Sequence, residues 1–168
     1  MKKILLILVV LLGLTATAQT GFKKSDKFVE GSVSYTKENG VDAVYTFAPS
    51  AGYFLTDKFA VGVQVEKTNT LDKFSAGVFG RCYFLNVGKD FKVFSGLGVN
   101  TTDTTTGLSH VNVNLGLGVN YFVTKNLALS ANLANLGHYN FETESASLGF
   151  DGVENPLNAP KFGVLYKF

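Results

Sequence analysis

Strict alternation of apolar and polar residues constrains this chain more than any other feature. From Val111 to Tyr121, every odd-numbered residue is aliphatic or aromatic, and every even-numbered residue is Asn or Gly. This period of two predicts a β-strand with one face in an apolar environment. A membrane-spanning helix fits poorly, because Gly, Asn and β-branched residues disfavour helix and the polar positions would surround it on all sides.

Seven further segments alternate in the same way, so we predict eight strands. One face of each strand is uncharged and carries aliphatic, aromatic and small residues. The opposite faces carry Ser, Asn, Gln and Gly, with a few charged residues: Glu30, Asp42, Glu66, Arg81, Lys92, Lys161 and Lys167. In chain order, the uncharged faces run over Val29–Tyr35, Val41–Phe47 with Tyr53, Phe59–Val65, Phe74–Phe84, Val93–Val99, Val111–Tyr121, Leu127–Leu133 and Phe162–Phe168.

The N-terminus has the pattern of a secretory signal peptide. Two lysines precede an apolar run over residues 4–14, and the small residues Ala16-Thr17-Ala18 follow it. The apolar run is too short to cross a bilayer as a helix. We therefore predict a signal peptide over residues 1–18, cleaved between Ala18 and Gln19.

The remaining residues, 19–168, are predicted to form one domain without net formal charge. The chain has 15 Lys and Arg and 13 Asp and Glu, and the signal peptide removes two of the lysines. A balanced charge argues against a nucleic-acid partner, which requires a basic surface. The single cysteine, Cys82, cannot form an internal disulfide, and no Cys and His spacing resembles a metal site. We predict neither a metal nor another cofactor.

Two all-β architectures satisfy this alternation. A soluble periplasmic lipid carrier would point its apolar faces inward and its charges to water. A transmembrane barrel points its apolar faces to lipid and fills its interior with polar residues. The polar faces here hold more Asn, Ser and Gly than Lys and Glu, which favours the transmembrane barrel. Eight spanning strands of roughly 9–11 residues each also fit the length of the domain, whereas ten would leave too little for the connections.

The connections follow from this arrangement. Two similar phrases, YFLTDKFAV at 53–61 and YFVTKNLAL at 121–129, each enclose a short polar turn between two apolar segments. Short turns are expected on the periplasmic side of such a barrel, and longer connections outside. We predict periplasmic turns at 55–58, 86–90 and 123–126, and external connections at 38–40, 67–73, 101–109 and about 135–157.

Two residues bear on the register of the strands. Pro49 has no amide hydrogen, which predicts a bulge or kink in the second strand. Arg81 would cost about 2–4 kcal/mol if it faced lipid at the membrane midplane, so we assign its side chain to the interior. Glu30 and Arg81 then lie toward the periplasmic half and are predicted to pair across the lumen. Water-mediated pairing with Lys92 is the competing arrangement.

With these features the chain resembles the small eight-stranded outer-membrane β-barrels of diderm bacteria, the OmpX and OmpA-barrel type. The resemblance is carried by the signal peptide, the alternating strands and the terminal sequence KFGVLYKF, in which Phe162, Val164, Tyr166 and Phe168 alternate. It implies an all-β, eight-stranded, antiparallel up-and-down transmembrane barrel in the bacterial outer membrane. It also implies that these four residues are the assembly signal for the barrel-assembly machinery.

The expected function is that of a non-enzymatic monomer in contact with outer-membrane lipid. Its role would be structural, or an interaction with an extracellular partner at the external connections. Because eight strands enclose a lumen that side chains fill, a pore would be narrow and of low conductance; this is one alternative. An outer-leaflet lipid-modifying enzyme is a second, since Ser109, His110 and Glu142 or Glu144 offer the residue types, although no motif supports a catalytic residue. The soluble lipid carrier is the third.

Overall fold

The computed structural model describes residues 21–37, 43–69, 74–103, 109–140, 145–151 and 161–168. No helix in these ranges is long and apolar enough to cross a membrane. The described residues form β-strands joined by short turns. In chain order the strands are β1 (Lys27–Thr36), β2 (Val44–Phe54), β3 (Phe59–Thr68), β4 (Phe74–Val87), β5 (Phe91–Asp103), β6 (Ser109–Phe122), β7 (Leu127–Asn140), β8 (Ser145–Asp151) and β9 (Lys161–Lys167).

The strands form one closed antiparallel barrel. Neighbours in sequence pair from β1 to β7, and β9 pairs with both β7 and β1, which closes the ring. β8 and β9 share the eighth position, because β8 pairs with Asn135–Asn140 of β7 and β9 pairs with Leu127–Asn132. The prediction of an eight-stranded antiparallel barrel is confirmed, with the last strand in two pieces. Closure leaves the strands of the ring no unpaired edge within the membrane, where an unsatisfied backbone group costs several kcal/mol.

The outer surface of the barrel is apolar, as the alternation predicts. Valine and leucine side chains of β1, β3, β4 and β7 are exposed there, among them Val63 and Leu129. Aromatic residues lie near both rims, as in barrels that span a bilayer. Exposed at the periplasmic rim are Tyr53, Phe59, Tyr121, Tyr166 and Phe168, and exposed toward the external rim are Tyr35, Tyr45, Phe47, Phe74 and Tyr139.

Several connections are shorter than predicted, and the connection predicted at 38–40 lies outside the described residues. The prediction of a connection over about 135–157 is wrong in part, because Asn135–Asn140 of β7 pairs with Ser145–Asp151, which is β8. Strands also extend into the connections predicted at 67–73 and 101–109, and into the turn predicted at 86–90, where β4 continues to Val87. The reason is physical: strand ends beyond the bilayer meet water on both faces, so their sequence loses the alternation that marks a strand. The turns at 55–58 and 123–126 lie where they were predicted.

The bulge predicted at Pro49 does not occur in the described part of β2. β1 keeps an unbroken register with β2 through the pair Gly31–Pro49. Ala48 and Pro49 have no partner in the β2–β3 pairing, but the residues on both sides of them pair in the same register. Because proline removes one donor and nothing else from the ladder, the faces of β2 stay the same on both sides of it. The register shifts instead between Tyr83 and Leu85 and in the β6–β7 pair.

The side chains on the inward faces fill the lumen, and their chemistry changes along the barrel axis. Toward the periplasm the lumen is aromatic and aliphatic. Toward the outside it is lined by Thr, Asn, Ser, Gln and charged residues. Buried apolar residues of the first group include Phe22, Phe28, Phe54, Ala60, Phe79, Tyr83, Phe94, Phe122, Ala128 and Leu165. We refer to these two parts of the lumen as the periplasmic half and the external half.

Candidate functional site in the barrel interior

The ion pair between Arg81 and Glu30 is the centre of the interior. Arg81 Nη1 lies 2.5 Å from Glu30 Oε2. Arg81 is on β4 and Glu30 on β1, with β2 and β3 between them in the sheet, so the contact crosses the lumen. Both residues are buried, with 6% and 4% of their surface exposed. The inward assignment of Arg81 therefore agrees with its position, and the structure brings together the two residues that the register paired.

Ser130 on β7 contacts the other oxygen of the Glu30 carboxylate. Its hydroxyl donates a hydrogen bond of 2.6 Å to Glu30 Oε1. Each oxygen of the buried carboxylate thus has a partner, which a charge removed from water requires. The three side chains link β1, β4 and β7, strands that are not neighbours in the ring. This network therefore fixes the shape of the lumen from within.

Three phenylalanine rings enclose the Arg81 guanidinium. Its Cζ lies 4.7 Å from the ring centroids of Phe79 and Phe94 and 5.6 Å from that of Phe28. Each such contact stabilises a desolvated cation by about 0.5–2 kcal/mol. The rings also exclude water from the ion pair. The cation is held by one carboxylate and by aromatic faces, an arrangement that leaves no wide aqueous path at this level.

A second polar contact lies next to the ion pair. Tyr83 on β4 donates a hydrogen bond of 2.9 Å from its hydroxyl to Asn120 Oδ1 on β6. Asn120 is fully buried, and its Nδ2 has no hydrogen-bond partner among the described residues. An unpaired buried donor of this kind costs about 1–3 kcal/mol. Asn120 is the one buried side chain in the described interior with such an unsatisfied group.

An aromatic cluster closes the periplasmic mouth below these polar contacts. The Phe22 ring comes from the segment that precedes β1 and inserts among three other rings. Its centroid lies 4.2 Å from that of Phe54, 4.6 Å from that of Tyr83 and 5.0 Å from that of Phe122. Pairs at these separations add about 0.5–1.5 kcal/mol each to the area that they bury. Phe22 is buried and acts as a stopper at the periplasmic end.

Polar contacts hold the segment that carries Phe22 in the mouth. Lys167 Nζ donates a hydrogen bond of 2.6 Å to Gly21 O and lies 3.0 Å from the Asp26 carboxylate. The Ser25 amide donates to Phe54 O at 2.8 Å. The Lys24 amide donates to the Asp57 carboxylate at 2.7 Å. Residues 21–26 are therefore tied to β9, to β2 and to the turn that follows β2.

The external half of the lumen is polar. The Thr46 and Thr68 hydroxyls lie 3.1 Å apart, and Asn114 Nδ2 donates to Asn100 Oδ1 at 2.6 Å. Lys161 on β9 forms an ion pair with Glu66 on β3, and about a quarter of each side chain is exposed. The Lys161–Glu66 pair is thus more exposed than the Arg81–Glu30 pair, whereas Thr46 and Thr68 are buried. The external half is thus a polar vestibule that ends at the aromatic and ionic layer below it.

Lys92 is not part of the central ion pair. The structure pairs Glu30 with Arg81 and Ser130, and it places the half-buried Lys92 against the N-terminal segment. A Cβ atom on Gly21 would lie 3.4 Å from Lys92 Cε. Lys92 therefore belongs to the periplasmic mouth.

The residues proposed as an assembly signal lie on the lipid-facing side of β9. Phe162, Val164, Tyr166 and Phe168 are all exposed there, between 48% and 61%. Their inward neighbour Leu165 is fully buried. The proposed cleavage residues Ala18 and Gln19 lie outside the described residues, so the structure does not bear on them.

The residues considered for lipid-modifying chemistry also lie outside the described side chains. Glu142 and Glu144 fall outside the described residues. The backbones of Ser109 and His110 lie in β6, but their side chains are not described. Among the described residues, no group of three or more His, Cys, Asp or Glu could hold a metal ion.

Sequence reasoning missed several members of this interior. Phe22 lies before the first strand, where no alternation marks it; its only sign was an apolar residue in an otherwise polar segment, GFKKSD. Glu66 and Lys161 were assigned to inward faces but not to each other. Ser130 and Asn120 were not singled out. Their partners depend on which strands face one another across the lumen, and alternation along a single strand does not contain that information.

No protein-family model and no curated protein sequence matches the chain. Its fold is similar to that of solved membrane barrels. The N-terminal β-barrel domain of Pseudomonas aeruginosa OprF is 16% identical, with 86% of this chain and 98% of that chain covered and a TM-score of 0.64. The outer membrane protein OprG from the same organism is 15% identical, with coverage of 88% and 98% and a TM-score of 0.56. A structure from the de novo design of transmembrane β-barrels is 18% identical, with coverage of 89% and 100% and a TM-score of 0.60.

Proposed function

We propose that this eight-stranded outer-membrane barrel is a closed, non-enzymatic scaffold that presents an external β-sheet for interactions at the cell surface. The observation that carries the proposal is the length of its strands. β5, β6 and β7 have 13, 14 and 14 residues, whereas about 9–11 residues suffice to cross the bilayer. β8 pairs with the part of β7 furthest from the periplasmic turns. These strand ends extend past the external rim.

The filled lumen supports a scaffold over a pore. The Arg81–Glu30 pair crosses the lumen, and the ring of Phe22 closes its periplasmic end. An ion passing through would have to displace the buried pair and the aromatic cluster. Both are costly, because separating a buried pair leaves an uncompensated charge. The interior therefore stabilises the barrel that holds the external sheet.

Planar-bilayer recording tests the closed state. The purified protein is expected to give no unitary current steps, whereas reproducible steps that scale with protein concentration would contradict the proposal.

Analysis of the lipid A acyl chains tests the non-enzymatic part of the proposal. The deletion strain and the same strain complemented with the natural chain are expected to have the same lipid A acyl chains. A difference that depends on the protein would assign it an enzymatic role.

The surface role is tested in a deletion strain. The strain would be complemented with the natural chain or with a variant in which residues 104–108 are replaced by Gly and Ser at equal length. A matched variant would carry the same exchange in the periplasmic turn at 88–90. We expect adhesion to be restored by the natural chain and the periplasmic variant and lost with the external variant. Equal adhesion of all strains, including the deletion strain, would overturn the surface role.

A further inference from the structure

A shallow hollow of about 480 Å³ lies on the outer surface of the barrel, over β9, β1, β2 and β3. Its floor consists of three small outward-facing residues, Gly31, Pro49 and Ala51. These residues meet in the sheet, because Gly31 pairs with Pro49 in the same β1–β2 register that contains Ala51. Larger side chains stand around the floor, including Val29, Val164 and Tyr166. The small residues thus create a hollow in a surface that valine and leucine otherwise cover.

The hollow lies at the depth of acyl chains. Tyr166 stands at its periplasmic end, in the aromatic belt at the membrane–water boundary. Gly31 lies nearer the middle of the barrel, and a Cβ atom there would meet only Phe47 Cε2, at 3.9 Å. The walls are valine and tyrosine side chains. An apolar hollow that starts at an interfacial tyrosine and rises into the hydrocarbon fits one acyl chain of a lipid in the periplasmic leaflet.

Cationic side chains lie directly below the hollow. Lys27 is exposed and pairs in register with Tyr53, two residues toward the periplasm from the Val29–Ala51 pair. Lys23 and Lys24 are also exposed in the adjoining N-terminal segment. Basic groups at this height attract anionic headgroups.

Two carboxylates at the same rim are engaged by other groups. Asp26 contacts Lys167 and accepts a hydrogen bond from the Lys23 amide. Asp57 accepts from the Lys24 amide. Neither contact uses the ammonium groups of Lys23, Lys24 or Lys27. The rim therefore keeps cationic groups for an anionic ligand at the point where a headgroup would lie.

We propose that this surface binds one anionic glycerophospholipid of the periplasmic leaflet, with an acyl chain in the hollow and the phosphate near Lys27. A second copy of the chain fits less well. In a symmetric dimer of parallel barrels, the two copies of the hollow would face each other at the same height. That arrangement would bring the Lys27 side chains and their neighbouring lysines together, and like charges repel.

Native mass spectrometry of the protein released from detergent tests this assignment, with dioleoyl phosphatidylglycerol and dioleoyl phosphatidylcholine as separate probes. The natural chain is expected to retain one phosphatidylglycerol and to retain it better than phosphatidylcholine. Ala51→Leu fills the hollow and should lower the fraction of protein that retains one lipid roughly tenfold. This is the loss expected when about two methylene groups lose their contacts. Ala131→Leu is the matched control, since it adds the same atoms to the lipid face of β7 and should leave retention unchanged.

The headgroup contact is tested separately. Lys27→Gln should reduce retention of phosphatidylglycerol to that of phosphatidylcholine, whereas Lys125→Gln, an exposed lysine in a different periplasmic turn, should not. Gly31→Leu is a second way to fill the hollow if Ala51→Leu does not fold, as judged by heat-dependent gel mobility. Equal retention by the hollow variants and the Ala131→Leu control would overturn the site. So would a dimer that the same variants abolish, because it would assign the hollow to a second copy.

Discussion

The periplasmic and external halves of the lumen fill the same kind of space with different chemistry. Among the described residues, each half contains one ion pair that crosses the lumen. The side chains of Arg81 and Glu30 are 8% and 2% exposed, whereas those of Lys161 and Glu66 are 24% and 27% exposed. Aromatic rings surround the first pair, while the second pair keeps about a quarter of each side chain exposed. The comparison shows that the position of a charge along the barrel axis decides whether it forms a seal or lines a vestibule.

Burial makes the two pairs differ in energy more than in geometry. A buried pair gains little over an apolar replacement, but removing one partner is costly because the other charge remains unpaired. A pair that keeps access to water contributes about 0–1 kcal/mol. We therefore expect substitutions in the periplasmic half to have large effects on stability and equivalent substitutions in the external half to have small ones.

The largest effect is expected from Arg81→Ala. It leaves the Glu30 carboxylate buried with Ser130 alone and should lower the free energy of unfolding by about 3–5 kcal/mol. Urea unfolding in lipid vesicles, followed by heat-dependent gel mobility, measures this change. The double variant Glu30→Leu/Arg81→Met removes both charges and should recover most of the stability. Unchanged stability and mobility in Arg81→Ala would show that the pair does not seal the lumen.

The next largest effect is expected from Phe22→Ala. Loss of the ring that packs on Phe54, Tyr83 and Phe122 should cost about 2–3 kcal/mol. Phe84→Ala is the matched control, because Phe84 lies on the lipid face and is 56% exposed. The same unfolding experiment compares them. Equal losses in both variants would mean that the stopper adds no more than an ordinary lipid-facing ring.

Two inward glycines offer a test of packing density at two levels of the lumen. A Cβ atom on Gly118 would lie 2.3 Å from the Phe94 ring and 2.9 Å from Ala131 O, whereas one on Gly98 would come no closer than 3.8 Å to Val78 O. Gly118→Ala should therefore destabilise the barrel by about 1–3 kcal/mol through overpacking. Gly98→Ala should be neutral within the error of urea unfolding. A neutral Gly118→Ala would indicate that the periplasmic half is loosely packed.

The smallest effect is expected from Lys161→Ala. Because the Lys161–Glu66 pair is open to water, its loss should cost less than about 1 kcal/mol. The difference from the natural chain should shrink further in high salt, which screens charges that water can reach. Unfolding at low and high salt checks both points. A loss as large as that of Arg81→Ala would remove the distinction between the two halves.

How much of this could be predicted depends on the distance over which the residues interact. The lipid-facing residues of β6 follow from alternation along one strand, because lipid imposes the same requirement at every second position. The inward position of Arg81 followed from the cost of facing it to lipid. The pairing of β8 with the outer part of β7 could not be predicted in this way. Beyond the bilayer both faces of a strand meet water, so the alternation of apolar and polar residues fades.

Apart from the Arg81–Glu30 pair, the contacts across the lumen could not be predicted from the sequence. Phe22 reaches its position through the fold of a short segment outside any strand, and the Lys161–Glu66 pair depends on which strands oppose each other after closure. The bulge at Pro49 was predicted from the missing amide alone. It does not form in the described strand, because the ladder with β1 holds β2 in register on its other side.

Cysteine labelling on one strand tests directly whether water reaches the external half of the lumen and is excluded from the periplasmic half. Ala60 and Gln64 both face the lumen from β3; Ala60 is fully buried and Gln64 is half-buried. In a Cys82→Ala background, Gln64→Cys should react with a small, water-soluble methanethiosulfonate reagent, and Ala60→Cys should remain unmodified in the folded barrel and react after unfolding. Reaction of folded Ala60→Cys at a rate like that of Gln64→Cys would show that water reaches both halves of the lumen.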